Sequence, residues 1–412
     1  MKVLVIYYKQ DAITSTIRLG GLIKYLTDFG WEPIILTNKP SPELDKFEVI
    51  TVPYDSNDLI KKLPSPLKNV SSDSSIFLKF SRYLWNALFS YPDLQKEWYT
   101  PALKAVIDSR EIQDVDVVIS SFPPATSHLI AKTLKEKYGI PWIADMRDLW
   151  TQYTYYNYKY FFPRKLREKR LELKTLAEAS YLVIVSKPLA KTLEKIHKNP
   201  IFVIPNGFDP ENVNPGTPLT EKFSITYAGG LWGGKRDPRI LFEVINQLKL
   251  EDKIDTGDFE INFFGPDEYL LKKLVKNYDL EDIVNINGLV PREEVIERER
   301  QSQLLLLLRW DNLHEEGVFT GKIFEYLAAK RPIMSIGYKG GVVDELLEKT
   351  NAGVSLNDVD EIKKEIFRAY SEFKSSGEVK YSGIPEEIEK YSHKEMAKEF
   401  VNILEMVVKD KN

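Results

Sequence analysis

A lysine and a glutamate, Lys322 and Glu325, follow a Thr320-Gly321 step near the C-terminal end of the chain. The pattern predicts that this step opens a helix, whose first N–H groups lack partners within the helix and lie at the positive end of its dipole. Such a start can hold a phosphate beside the lysine, and a carboxylate one turn later can accept hydrogen bonds from sugar hydroxyls. An ordinary i, i+3 ion pair between the two side chains explains these residues equally well.

A glycine-rich turn begins with Gly229 and Gly230 and ends with Lys235 and Arg236, directly after a predicted strand at residues 224–228. Its spacing almost matches the phosphate-binding P-loop, but Arg236 stands where that motif needs a Ser or Thr hydroxyl for Mg²⁺. The pattern therefore disfavours a true P-loop. The turn and its two cations can still bind a diphosphate without a metal, and a simple surface turn is the alternative.

Two carboxylates and a guanidinium, Asp145, Arg147 and Asp148, stand at the end of a predicted strand at residues 141–145. Carboxylates in this position are candidates for a general base or for holding an acceptor hydroxyl. Ion pairing of Arg147 with either aspartate is an equally good explanation. His128 lies at the start of a helix after another strand, where it could meet a ligand, although a lone histidine there is more often a local hydrogen-bonding residue.

Aromatic and basic residues are interleaved over residues 153–170. Aromatic rings beside cations suit a membrane interface with anionic lipid, which predicts peripheral membrane contact. The same composition fits a sugar-binding groove or a solvated helix face with buried rings. A second aromatic stretch, at residues 77–98, is predicted to form either core or an acceptor groove.

Strands and helices alternate along both halves of the chain, and these elements must position the residues above. Strands without polar alternation indicate parallel sheets covered on both faces, with ligands bound beyond the carboxyl ends of the strands. The turn-rich residues 206–218 predict a linker between two domains. An amphipathic helix is predicted at residues 392–408. The predicted strands lie at residues 3–8, 32–36, 115–120, 141–145, 181–186, 201–205, 224–228, 259–264, 284–286, 304–308 and 332–336.

Composition narrows the possible functions. The 412 residues exceed one ordinary core and predict two domains. A formal net charge of −4 argues against general nucleic-acid binding. The chain has no cysteine and only four histidines, which argues against a thiolate or histidine-rich metal site and fits an intracellular protein. No apolar run approaches the roughly 20 residues that span a bilayer, and the apolar N-terminus lacks a signal-peptide cleavage region.

Taken together, the chain resembles GT-B glycosyltransferases, specifically the retaining, family-4-like group that builds surface polysaccharides and glycolipids. The resemblance is carried by residues 18–37, 204–209, 227–230 and 322–328, in this order. It implies an α/β fold with two Rossmann-like, doubly wound parallel-sheet domains facing a cleft. Residues 1–205 would bind the acceptor and residues 206–388 the sugar-nucleotide donor. Residues 389–412 would form a helix that packs back on the first domain.

The resemblance also implies roles at the donor site. Glu325 matches the second glutamate of the family's paired-glutamate motif and would bind the donor ribose. Gly317 occupies the position of the first glutamate, while Glu315 and Glu316 are close but out of register. The other donor contacts that the resemblance implies are Gly229, Gly230, Lys235, Arg236, Thr320, Gly321 and Lys322 for the diphosphate and Gly288 for the nucleobase.

Arg18 and His128 are the candidate acceptor contacts, and Asp148, Asp145 and Arg147 the candidate catalytic residues. Many relatives carry a histidine where this chain has Arg147, and arginine cannot act as a base at neutral pH. Asp148 or Asp145 would replace it, or the leaving diphosphate would take the acceptor proton in a front-face reaction.

The resulting prediction is a glycosyltransferase that moves a sugar from a nucleotide sugar to a glycan or a lipid-linked acceptor, with retention and without a metal or other cofactor. We expect a cytoplasmic protein with peripheral contact to an anionic membrane through residues 153–170, and no nucleic-acid partner. The alternatives are a sugar-nucleotide epimerase of the same fold and a catalytically silent module that binds glycan or protein.

Overall fold

The computed structural model describes residues 1–9, 13–55, 75, 78, 81, 90–152 and 162–410. The chain forms two compact units. The first unit comprises Met1–Pro205 together with His393–Asn412, and the second unit comprises Asn206–Ser392.

The first unit is built on a parallel sheet of seven described strands, in the order β3-β2-β1-β4-β5-β6-β7. The strands are β1 Lys2–Tyr7, β2 Glu32–Thr37, β3 Glu48–Thr51, β4 Val117–Phe122, β5 Trp142–Met146, β6 Tyr181–Ile184 and β7 Ile201–Val203. Alternate residues of β1 pack into two separate cores: Leu4 and Ile6 on one face, Val3 and Val5 on the other. Burial on both faces explains why the strand is apolar throughout.

Helices connect these strands. They are α1 Ile13–Leu26, α2 Tyr99–Asp108, α3 Ala125–Tyr138, α4 Phe162–Leu176 and α5 Lys187–Glu194. A 3₁₀ turn at Thr27–Phe29 extends α1, and Gly30 ends it with a left-handed φ of 79° that glycine adopts without strain.

The second unit repeats this architecture with six described parallel strands, in the order β10-β9-β8-β11-β12-β13. These strands are β8 Phe223–Ala228, β9 Phe259–Phe264, β10 Val284–Gly288, β11 Leu304–Leu308, β12 Ile333–Ile336 and β13 Gly353–Leu356. The helices are α6 Arg239–Leu250, α7 Glu268–Asn277, α8 Arg292–Gln301, α9 Gly321–Ala329, α10 Val342–Thr350, α11 Val359–Ser376 and α12 Pro385–Glu389. In β11, Leu304, Leu306 and Leu308 face one core, while Leu305 and Leu307 face the other.

The last helix, α13 His393–Lys409, belongs to the first unit and packs against α1. Its close approach requires Gly21 of α1, because a Cβ at this position would overlap the imidazole of His393. Phe400 of α13 also lies beneath the guanidinium of Arg18, 5.3 Å from its ring centre. The helix therefore completes the core of the first unit.

The predicted class, two doubly wound parallel-sheet α/β domains, is confirmed. Strand order reverses between β1 and β4 in the first unit and between β8 and β11 in the second. Open α/β sheets bind ligands at such reversals, beyond the carboxyl ends of the strands. The loops after β8 and β11, together with the start of α9, are therefore the first place to look for a site.

Candidate functional site

The glycine-rich turn after β8 is held firmly at its base. Leu231 is fully buried, and its N–H donates to the Asp267 carboxylate at 2.6 Å. The hydroxyl of Tyr227 donates to the carbonyl of Gly230 at 2.9 Å. The N–H groups of Gly234 and Arg236 both donate to the Leu231 carbonyl at 3.1 Å. These contacts fix the turn that carries the two predicted cations.

Lys322 reaches this turn from the first turn of α9. A Cβ at Gly229 would overlap the amine of Lys322, so the absence of a side chain at Gly229 makes room for it. The amine is buried, lies 4.1 Å from the ring centre of Tyr227 and donates no hydrogen bond to the described protein atoms. Burial, followed by repulsion from Arg236, lowers the pKa of Lys322 to about 7. A bound anion would restore its charge.

Three cations at this edge of the sheet, Lys235, Arg236 and Lys322, each lie over an aromatic ring. Lys235 lies 4.5 Å from the ring centre of Trp310, and Arg236 lies 5.3 Å from that of Trp232. Lys322 lies over Tyr227 in the same way. The face of an aromatic ring attracts a cation without accepting its hydrogen bonds in the way a carboxylate does. This arrangement suits the binding of an anion with several oxygens, such as a diphosphate.

Glu325, one turn along α9, accepts an ion pair from Arg292 of α8 at 2.8 Å. The i, i+3 ion pair with Lys322, which was the alternative to a ligand site, is not formed between these two described residues. The pair with Arg292 leaves the Glu325 side chain partly exposed.

Two further carboxylates lie near the cations. Glu299 of α8 is buried, and desolvation followed by repulsion from Glu325 raises its pKa well above the usual range. Glu315, in a 3₁₀ turn at Leu313–Glu315, is also buried, and its pKa is raised by desolvation against the opposing effect of Arg236. Although Glu315 is two positions away from Gly317 in sequence, the fold places it in the electrostatic environment of the cationic turn.

The remaining predicted donor residues lie at strand and helix ends. Thr320 precedes α9 in extended conformation, and its hydroxyl is buried without a described hydrogen-bond partner. Gly321 is the first residue of α9, where N–H groups have no partner within the helix. Gly288 ends β10 with a φ of 67°, and its carbonyl accepts from the N–H of Gly265. These positions agree with an anion site and an adjacent backbone contact.

In the first unit, Arg18 and Asp145 form a buried ion pair. Arg18 donates to the Asp145 carboxylate from Nε at 3.1 and 3.2 Å and from an Nη atom at 2.9 Å. It also donates to the carbonyls of Ile204 and Pro205, and Ser121 donates to Asp145 at 2.9 Å. These contacts tie α1, β5 and the end of β7 together. They give both residues a structural role, and their predicted roles in acceptor binding and catalysis stay predictions.

His128 lies in the first turn of α3, and its side chain is buried in the core. Its ring nitrogens lie 2.7 Å from the hydroxyl of Ser120 and 3.2 Å from the sulfur of Met146. Burial lowers the pKa of His128 to about 3, so the ring is neutral at physiological pH. The described contacts agree with the local hydrogen-bonding interpretation, and acceptor contact stays a prediction.

Arg147 and Asp148 follow β5 and differ in exposure. Arg147 is mostly buried, donates to the Pro123 carbonyl at 3.4 Å and lies 3.7 Å from the Asp148 carboxylate. The Asp148 side chain is 48% exposed. Of the two predicted carboxylates, only Asp148 is thus accessible to a ligand from solution.

The predicted membrane segment falls partly outside the described residues. Residues 153–161 are not described, and residues 162–170 form the first part of α4. Arg164 is buried there, pairs with Glu168 at 2.9 Å and donates to the carbonyls of Ser90 and Pro92. Part of the basic run is therefore structural. Over the described part of the chain, none of the helices is long and apolar enough to cross a membrane.

The fold is that of GT-B glycosyltransferases, whose solved structures match almost the whole chain. A glycosyltransferase from Rickettsia africae ESF-5 is 16% identical, with a TM-score of 0.63 over 99% of this chain and 98% of that chain. Anabaena Alr3699/HepE, solved with UDP and glucose, is 13% identical, with a TM-score of 0.61 over 98% and 100%. A putative UDP-N-acetylglucosamine 2-epimerase from Listeria monocytogenes is 12% identical, with a TM-score of 0.54 over 100% and 97%.

Residues 17–212 match the family profile described as Glycosyltransferase Family 4. The predicted GT-B fold and the predicted resemblance to family-4 glycosyltransferases are confirmed. No curated protein matches the sequence. The solved structures are too distant in sequence to establish more than the shared fold.

Some site residues carried no usable sequence signal. Tyr227 belongs to an apolar strand. Arg292 and Glu299 lie on a ten-residue helix with eight charged or amide side chains, a composition typical of a solvated surface helix. Only the packing of α8 against α9 shows that Glu299 is buried and that Arg292 meets Glu325. Among the described residues, no cluster of three or more His, Asp or Glu side chains could hold a metal ion.

Proposed function

We propose that this protein transfers a sugar from a nucleotide-sugar donor to a glycan or lipid-linked acceptor, with retention and without a metal. The observation that carries the proposal is the buried amine of Lys322 lying against Gly229, at the strand reversal of the second unit. A buried lysine without a carboxylate partner is costly unless a ligand supplies the charge. Lys235 and Arg236 extend the same positive surface, which fits a diphosphate.

The donor contacts follow from this placement. The diphosphate would lie against Lys322, Arg236 and the N–H groups at the start of α9. The ribose hydroxyls would donate to Glu325, which Arg292 already holds in one orientation. The nucleobase would lie by the backbone of Gly288 at the end of β10.

Glu315 is the candidate carboxylate for the transferred sugar. Burial raises the pKa of Glu315, and the guanidinium of Arg236 is close enough to oppose part of that rise. A carboxylate beside the diphosphate cations is suited to accept hydrogen bonds from sugar hydroxyls. Glu315 would then take the role of the first glutamate of the family motif, because the glycine at that position, Gly317, has no carboxylate.

The chemical step needs charge stabilisation more than proton transfer. As the bond between the sugar and the diphosphate breaks, negative charge grows on the leaving phosphate, and the three cations would stabilise it. The acceptor proton would go to Asp148, the exposed carboxylate after β5, or to the leaving phosphate itself. We further propose a cytoplasmic protein that contacts anionic membrane through residues 153–170.

A panel of nucleotide sugars, each with and without acceptor extracts, tests the proposal by the release of nucleoside diphosphate. Acceptor-dependent release with a glycosylated product supports transfer, whereas an epimerised sugar without an acceptor supports the epimerase alternative. A wild-type protein that neither binds nor turns over any nucleotide sugar would contradict both enzyme functions and leave the binding module. Turnover in the presence of EDTA tests the metal-free reaction.

Replacing Glu325 tests the donor site itself. Glu325→Ala should weaken nucleotide-sugar binding at least about tenfold, since even one hydrogen bond to a charged group contributes about 1.5–3 kcal/mol. Glu345→Ala, an exposed glutamate on α10, is the matched control. Calorimetry that gives equal dissociation constants for wild type and Glu325→Ala would rule out the ribose contact.

A further inference from the structure

Trp232 is the exposed tip of the glycine-rich turn. Its side chain is 59% exposed, and its φ of 54° is a left-handed conformation that bulky residues seldom adopt. The next two residues, Gly233 and Gly234, share a positive φ but adopt it without strain. Glycine would therefore suit position 232 better than tryptophan if only the turn mattered, and such strain is typical of functional positions.

Hydrogen bonds hold the backbone of the turn that carries Trp232. Leu231, the preceding residue, is fully buried and donates its N–H to Asp267. The carbonyl of Leu231 accepts from two N–H groups on the far side of Trp232, those of Gly234 and Arg236. Hydrogen bonds thus close the turn around Trp232, and the ring is presented by a rigid support.

One face of the indole belongs to the cationic site. The guanidinium of Arg236 lies 5.3 Å from the ring centre of Trp232. The base of the same turn contains Gly229, against which the amine of Lys322 lies. A sugar joined to a diphosphate at these cations, or a sugar that attacks it, is therefore expected within reach of the indole.

We propose that Trp232 is a specificity-determining residue that stacks on a pyranose ring of the substrate. This inference rests on the proposed function. The face of an indole is negative and apolar, and it attracts the weakly positive C–H groups on one side of a pyranose ring. The pyranose is either the transferred sugar of the donor or the sugar of the acceptor, and the experiment distinguishes these two sources.

The test compares Trp232→Ala and Trp232→Phe with Leu250→Ala. Leu250 is also an exposed apolar residue, but it ends α6, at the opposite edge of the sheet. The probes are UDP-glucose, UDP-galactose, UDP-N-acetylglucosamine and GDP-mannose, each compared by calorimetry with its free nucleoside diphosphate. The acceptor KM is measured with the donor that wild type binds most tightly.

If the indole stacks on the donor sugar, Trp232→Ala should weaken binding of the nucleotide sugar about three- to tenfold, the range for an aromatic stacking contact. The dissociation constant of the free nucleoside diphosphate should change less than twofold. If the indole stacks on the acceptor sugar instead, donor binding should stay constant while the acceptor KM rises by the same factor. Trp232→Phe keeps an aromatic ring and should therefore retain most of the wild-type affinity. Leu250→Ala should match wild type. If Trp232→Ala changes neither quantity, or weakens the free diphosphate equally, stacking on a sugar is refuted.

A second variant separates stacking from a structural role. Trp232→Gly removes the backbone strain, so its thermal unfolding midpoint should equal or exceed that of wild type, while the sugar-dependent effect should match that of Trp232→Ala. A loss of stability in Trp232→Gly would show that the indole supports the fold and would overturn the proposal. Failure of the wild type to bind any nucleotide sugar would instead refute the proposed function, before any variant is compared.

Discussion

Donor binding should depend on pH through the charge of Lys322. Burial lowers the pKa of this amine to about 7 in the ligand-free protein, and a diphosphate dianion beside it favours the charged form. Because the bound state needs the proton, affinity should be highest at low pH and should fall as pH rises through 7. With a single group of this pKa, the charged fraction falls from about 90% at pH 6 to about 10% at pH 8.

The dissociation constant of a nucleotide sugar should therefore rise about tenfold between pH 6 and pH 8, which corresponds to about 1.4 kcal/mol. Calorimetry in buffers of different ionisation enthalpy should also detect close to one proton taken up per ligand at pH 8. A nucleotide sugar is the better probe than a free diphosphate, because it has no terminal phosphate that titrates in this range. Titration of the ligand therefore does not alter the dissociation constant between pH 6 and pH 8.

Neighbouring groups provide the controls. Lys322→Arg keeps a charge that does not titrate below pH 12, so this variant should lose most of the change of the dissociation constant with pH. Glu299 and Lys322 influence each other's pKa, so Glu299→Gln tests how much Glu299 contributes to the pH dependence. His128, whose pKa is about 3, cannot contribute between pH 6 and pH 8. A wild-type affinity that is constant with pH, or an unchanged slope in Lys322→Arg, would refute the role assigned to Lys322.

Four further substitutions test other parts of the structure. Gly229→Ala places a Cβ on the amine of Lys322, so we expect the Kd of the nucleotide sugar to rise at least tenfold, about 1.4 kcal/mol; unchanged calorimetric affinity would count against this packing. Asp148→Asn should lower kcat about 100-fold with unchanged donor affinity if Asp148 is the base, whereas an unchanged kcat would assign the proton to the leaving diphosphate. Gly21→Ala should destabilise the first unit by about 1–3 kcal/mol in urea unfolding, because its Cβ overlaps His393. Gly20→Ala, where a Cβ meets no atom within 4 Å, should instead stabilise the same helix by up to about 1 kcal/mol; equal effects at the two positions would contradict the packing of α13 on α1.

The fold class was largely predictable because its signals are local. The apolar strands at residues 3–8 and 304–308 predicted parallel sheets buried on both faces, and the structure places their alternate residues in separate cores. The glycine-rich turn was predictable for the same reason, because positive φ angles at Gly229, Gly233 and Gly234 require that residue type.

Site residues were less predictable, because their roles depend on burial and on distant partners. Asp145 and Arg147 gave equal sequence support to catalysis and to ion pairing. The structure places Asp145 in a buried pair with Arg18, 127 residues away in sequence. Glu315 was out of register with the family motif, yet the 3₁₀ turn at Leu313–Glu315 brings it near Arg236. The position of a residue in a sequence motif does not show which way its side chain points in a short turn.

The sequence by itself determined the two-domain α/β architecture, the cationic turn and the helix start with Lys322, since periodicity and turn chemistry act over a few residues. Only the tertiary structure decided which of these groups are poised for a ligand. It buried Lys322 against Gly229, paired Glu325 with Arg292 instead of Lys322, and enclosed Arg18 in the core. The physical reason is that burial and charge pairing are set by residues far apart in the chain, which meet only when the sheets and helices pack.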